Sequence, residues 1–119
     1  MNNDPILRMI GLSMRAGKLA FGANLAVSAI RSPNKPRLVL MASDASDNTR
    51  KRITDSCSYH DVKLVDTEYS GETFAKAIGK TFDVMVLAIM DEGFAKSIIS
   101  KINDPGDAGS KNSAGGAII

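Results

Sequence analysis

Apolar positions along this chain change period repeatedly, from helical spacing to short unbroken runs and back. Asp4-Pro5 has the form of a helix start, with an N-cap carboxylate and a proline at the first helical position. Ile6, Met9, Ile10 and Met14 then keep helical spacing, and Leu7 adds to the same stripe. Gly17 suits the left-handed residue that ends a helix, and Leu19–Phe21 is room for a very short strand with one or two ladder bonds. Gly22 is read as a turn that lets another backbone come close. From Ala23 the chain is helical and apolar except for Asn24, Ser28 and Arg31, which share one face, so the helix is expected to be buried apart from that stripe. Two prolines in Ser32-Pro33-Asn34-Lys35-Pro36 stop it.

Leu38–Ala42 is a continuous apolar run, the mark of a strand covered on both faces. Ser46 or Asp47 caps a third helix, reaching about Tyr59, with Thr49, Ile53 and Cys57 inward. Val62, Leu64 and Val65 form the third strand. Ser70-Gly71 opens a fourth helix, with Phe74, Ala77 and Ile78 inward and Gly79 closing it. Val84–Met90 is the longest apolar run and the expected central strand. Asp91 caps the last helix, whose inward positions are Phe94, Ile98 and Ile102. Helices alternating with short strands imply a three-layer α/β/α sandwich. From Asp104 the composition turns to Gly, Ser, Ala and Asp, so residues 1–103 are expected to form one domain and 104–119 a flexible tail.

Charge changes this picture more than composition does. The net charge is only +2. Residues 1–60 nevertheless hold nine Lys/Arg against four Asp/Glu, and residues 61–119 hold six against nine. A basic first half and an acidic second half suggest a one-sided contact with a polyanion. No apolar run is long enough to span a bilayer. The N-terminus shows no secretory pattern, and one cysteine, Cys57, allows no intrachain disulfide. A cytoplasmic location is the expectation.

Candidate chemistry is sparse. Gly79-Lys80-Thr81 resembles the end of a P-loop, but Phe74 stands where the first glycine belongs and a helix precedes it where a strand should. Asp44, Asp47, Asp91 and Glu92 follow apolar runs and could hold magnesium, yet Asp47 and Asp91 are natural caps. His60 and Cys57 lack triad partners. The expectation is therefore a protein that is not an enzyme and needs no metal or cofactor. What stands out is the stretch from Ala16 to Arg31: a glycine turn, one Asn, and Lys18 and Lys35 flanking a helix that begins at Ala23. Amide donors and cations about a helix N-terminus suit an anion such as a phosphate backbone. An ordinary turn followed by a solvated helix face would carry the same residues.

With these pieces in place, the chain resembles the kink-turn-binding ribosomal proteins of the L-seven-Ae / L-thirty-e family, and most of all the small bacterial YlxQ-like members. The matching segments are A-G-K-L at 16–19, G-A-N at 22–24, L-V-L-M-A-S-D-A-S-D-N-T at 38–49, A-I-G-K at 77–80 and L-A-I-M-D-E-G-F-A at 87–95. The resemblance implies a mixed four-stranded sheet. It also implies recognition of structured RNA with a kinked backbone, rRNA or another kink-turn RNA, in association with the ribosome and its proteins, and neither DNA nor membrane as a partner. By position it implicates Lys18, Gly22, Asn24, Ser28 and Lys80, with Phe82 against an extruded base; Arg31, on the Asn24 stripe, joins them as a phosphate contact. Leu25 stands where the family often has Glu, and Ser28 where it often has Lys. Those departures and the acidic second half keep open a protein–protein interaction module that has lost RNA specificity.

The boundary at residue 103 is testable. Deleting 104–119 should leave the melting temperature nearly unchanged by circular dichroism, because no apolar periodicity ties that segment to the core. A fall of many degrees would move the boundary.

Overall fold

In the computed structural model, residues 4–103 are described, so the expected tail at 104–119 lies outside them. Their elements are α1 (Pro5–Arg15), β1 (Leu19–Phe21), α2 (Ala23–Arg31), β2 (Leu38–Met41), α3 (Asp47–His60), β3 (Leu64–Asp66), α4 (Gly71–Ile78), β4 (Val86–Ile89) and α5 (Glu92–Ile102). The four strands make one mixed sheet in the order β1-β4-β2-β3. β2 runs parallel to β3, while β4 runs antiparallel to both β2 and β1.

Alternation along the two inner strands sorts the core into two layers. Leu38 and Leu40 of β2 and Leu87 and Ile89 of β4 face α1, α4 and α5, meeting Ile10, Phe74, Ile78, Ala95 and Ile98. Val39 and Met41, with Val86 and Ala88, face α2 and α3, meeting Ala26, Val27, Ile30, Ile53 and Cys57. All eight strand residues of β2 and β4 are buried, as an unbroken apolar run requires. This is the three-layer sandwich that the helix–strand alternation implies.

Local signals set most element ends. Asp4 accepts from the amides of Ile6 at 2.8 Å and Leu7 at 3.2 Å with one carboxylate oxygen. Its other oxygen accepts from the Tyr69 hydroxyl at 2.7 Å, tying the start of α1 to the loop before α4. Burial first, then that bond and the nearby charges of Asp4 and Glu68, hold the Tyr69 phenol well above its ordinary range. Ser46, not Asp47, is the N-cap of α3, accepting from the Thr49 amide at 3.1 Å. Thr49 is therefore drawn toward the cap: its hydroxyl bonds Ser46 at 3.1 Å and it is only half-buried, not a core position. Cys57 does lie in the core, and burial pushes its thiol up to about 11.

β1 is the short strand expected, its three residues facing β4 with Leu19 opposite Ile89, Ala20 opposite Ala88 and Phe21 opposite Leu87. The structure corrects other expectations. β3 starts at Leu64, because Val62 belongs to the turn that closes α3, where its amide donates to the Cys57 carbonyl at 2.9 Å. β4 is the inner Val86–Ile89 only; Val84 is held outside the ladder by its bond to the Gly71 carbonyl at 3.0 Å. Leu25 is 54% exposed, so α2 is not buried everywhere off its polar stripe.

Gly11 of α1 packs against α4 so closely that a Cβ there would lie 2.9 Å from the Ala77 carbonyl oxygen. Backbone cannot yield as a side-chain tip can. Gly11→Ala should therefore lower stability by about 1–3 kcal/mol in urea unfolding, despite alanine's better helix propensity. A neutral or stabilising result would show that α1 and α4 separate freely.

Candidate nucleic-acid interface

The strand directions gather four chain segments along one edge of the sheet. β1, β2 and β3 end there and β4 begins there. Helices α2, α3 and α4 start from the first three ends, so three helix N-termini, each carrying partial positive charge, lie along that edge. Two of them are spoken for. Ser46 caps α3, and Ser70 caps α4 through the Thr73 amide at 3.1 Å. Asp44 takes the Gly71 amide at 2.9 Å as well. No side chain caps α2, whose N-cap is Gly22, so its first-turn amides face outward without a side-chain acceptor.

Gly22 has φ 93° and ψ 151°, a combination open to glycine alone. A Cβ there would meet no atom among the described residues. The glycine is thus required by backbone conformation rather than by the close approach of another part of this chain. Its amide donates to the Val86 carbonyl at 2.8 Å, which locks the turn to the beginning of β4.

The loop leading into β4 meets this turn. Gly79, at φ 79°, ends α4, and the Lys80 amide then donates to the Ala75 carbonyl at 2.8 Å. So placed, the Lys80 ammonium sits 4.9 Å from the centre of the Phe21 ring. Phe82 approaches the same ring, with centroids 6.2 Å apart, and is itself 55% exposed. Phe21, one residue before Gly22, is the hub that brings Lys80 and Phe82 to the α2 turn. Sequence reasoning missed it, since a lone aromatic in a three-residue strand gives no sign of what lies over it.

The remaining expected residues divide. Asn24, Ser28 and Arg31 line one shallow groove of about 370 Å³ with Val27, Ser32 and, from α3, Arg52. Asn24 and Ser28 are exposed, as is Arg31 in the last turn of α2. Lys18 lies apart: it precedes β1, at the end of that strand opposite Gly22, where its carbonyl accepts from the Met90 amide at 2.8 Å. Three strand steps, roughly 10 Å, separate it from Phe21. Arg52 was legible only as one of three consecutive cations, because spacing does not say which of the three faces α2.

The edge offers amide donors, cations and an exposed aromatic ring, which suit a phosphate backbone and a base face. Two of the acidic candidates serve the fold: Asp91 accepts from the Phe94 amide at 3.0 Å and Asp44 from the Gly71 amide at 2.9 Å. Among the described residues no group of three or more His, Cys, Asp or Glu is placed to hold a metal ion, and no helix is long and apolar enough to cross a membrane.

A three-layer sandwich with a glycine-capped helix and a cationic, aromatic loop at one sheet edge defines a class, and the comparisons give it a family. The chain belongs to the Ribosomal protein L7Ae/L30e/S12e/Gadd45 family, whose model matches residues 4–99. Two similar proteins are each named RNA-binding protein YlxQ. That of Enterococcus faecium is 40% identical over 95 residues, covering 80% of this chain and 88% of the relative. That of Bacillus subtilis (strain 168) is 39% identical over 95 residues, covering 80% and 92%. Among solved structures, a protein with unknown function from Bacillus halodurans C superposes with TM-score 0.78 at 26% identity, covering 86% of this chain and all of that one (100%). The Giardia lamblia 15.5kD RNA binding protein superposes with TM-score 0.67 over 82% of this chain and 81% of its own, and at 19% identity the likeness is one of fold.

Replacing Gly22 tests the turn. Gly22→Ala should cost about 1–3 kcal/mol in thermal or urea unfolding, from backbone strain with no clash to relieve. An unchanged stability would mean that the turn relaxes to another conformation.

Proposed function

We propose that this protein binds structured RNA, with a kinked backbone laid across the N-terminus of α2, and acts in association with the ribosome. The observation that carries the reading is the meeting of Lys80, Phe82 and Phe21 beside the Gly22 turn. Phe82 offers its exposed ring to an unstacked base, while Lys80 and the α2 amides meet phosphates. Asn24, exposed in the first turn, contacts a base edge or a sugar. Arg31, at the end of α2, and Lys18, at the start of β1, lie away from the Gly22 turn and meet phosphates farther along the backbone. Family membership and the names of the two YlxQ relatives support RNA as the partner. The family and the two relatives named as RNA-binding proteins support a binding protein rather than an enzyme.

Two kinds of contact predict two kinds of loss, readable by fluorescence anisotropy on a kinked hairpin RNA and a straight duplex. Lys80→Ala should weaken both RNAs and lower the salt slope by about one. Asn24→Ala and Phe82→Ala should each cost about 1–3 kcal/mol on the kinked RNA and much less on the duplex. Melting temperatures should hardly move, because these side chains lie at exposed or loop positions. If the wild-type chain does not prefer the kinked RNA at physiological salt, the specificity for a kink fails; if it binds neither RNA, the interaction-module reading takes its place.

A further inference from the structure

Three consecutive cations open the middle of α3, and the fold uses each differently. Arg50 is turned inward: its guanidinium ion-pairs with Asp66 and donates to the Ala42 and Ser43 carbonyls at 3.1 and 3.0 Å, clamping the end of β2 to β3. Lys51 pairs with Asp55 one turn on, at 3.2 Å. Arg52 has no ion-pair partner among the described residues and is exposed. It lines the groove between α2 and α3 opposite Arg31, which is likewise exposed and unpaired among the described residues. No acidic side chain lines that groove. The nearest carboxylate along the helix, Asp55, lines the neighbouring hollow, which Arg52 also borders, and is held by Lys51.

Two Arg residues lining one groove with no carboxylate in its lining give it a positive potential, which an anion seated there would meet. Arg is suited to this, since its planar fork meets phosphate oxygens two at a time. Asn24 and Ser28 add an amide and a hydroxyl along the same wall. We propose that Arg52 and Arg31 clamp one backbone phosphate of the bound RNA, so that the interface extends from the edge of the sheet along the α2–α3 groove. This rests on the RNA-binding reading above. It assigns α3 a direct contact, and it makes Arg52 the one member of the basic triplet left for a partner.

The test compares neighbours on one helix. Full-length protein is titrated with a labelled kinked hairpin RNA between 50 and 200 mM salt. Arg52→Ala should lower the salt slope by about one, so that the variant loses about 3.5-fold less affinity than wild type over that range. Arg52→Lys should keep the slope, because a cation still reaches the phosphate. Lys51→Ala, one residue away and already ion-paired, should bind as wild type does. Arg31→Ala should match Arg52→Ala, and the double variant should lower the slope no further, because the phosphate is seated only while cations on both walls grip it and a lone Arg leaves it in solvent. A wild-type slope in Arg52→Ala would overturn the clamp while leaving RNA binding intact; so would an equal fall in Lys51→Ala, which would reveal mere bulk charge. A fall of about two in the double variant would overturn the shared phosphate. No RNA binding by wild type would overturn both this proposal and the reading beneath it.

Discussion

The hydrogen bond from the Gly22 amide to the Val86 carbonyl joins two stretches more than sixty residues apart in sequence, and the rest of the candidate interface hangs on it. It can form only because β4 runs against β1 and β2, which brings the beginning of β4 level with the end of β1. A parallel β4 would carry the Gly79–Met85 loop to the opposite edge, and Lys80 and Phe82 would never meet Phe21. The same antiparallel placement gives β4 two neighbours and two covered faces, which explains why it is apolar at every position.

Around that join, the structure separates groups that hold the fold from groups that are left over. Asp4, Ser46, Ser70 and Asp91 each accept from backbone amides as the N-cap of a helix, and Asp44 accepts from the first amide of α4 from across the loop. Arg50 spends its guanidinium on the ends of β2 and β3. What remains at this edge is the uncapped start of α2, Lys80, an exposed aromatic ring and the Arg31–Arg52 groove. The overall charge of +2 hides this, because it also counts acidic residues that are committed to a cap or to helix-surface pairs, such as Asp91, Glu72 with Lys76 and Glu92 with Lys96.

Rigidity at the interface has a local source on each side. Gly22 and Gly79 take positive φ values, each fixing a sharp change of direction that few other residues could hold. Gly71 serves the same region differently: a Cβ on it would lie 2.5 Å from the Met85 side chain and 3.2 Å from the Val84 carbonyl oxygen, so its absence lets the start of α4 sit against the entry to β4. The loop carrying Lys80 and Phe82 is thereby pinned at both ends, by the α4 cap and by the Gly71–Val84 contact.

Much of this was legible in the sequence. Caps at Asp4, Ser46, Ser70 and Asp91, stops at Gly17 and Gly79, and unbroken apolar runs in β2 and β4 are local signals, set by residues within a turn or two of one another. They sufficed for the three layers, and the motif pattern from 16 to 95 carried the family. The sequence also singled out Asn24, Ser28 and Arg31 as one helix face, since helical period alone makes them neighbours. Tertiary structure decided what that face looks at. Strand order placed Phe21 under Lys80 and Phe82, set Lys18 at the far end of β1, and left Leu25 in solvent. Packing of α3 on α2 chose Arg52 for the groove and Arg50 for the sheet. Such assignments depend on contacts between segments distant along the chain, and local periodicity carries no information about which cation of three will find a carboxylate already waiting for it.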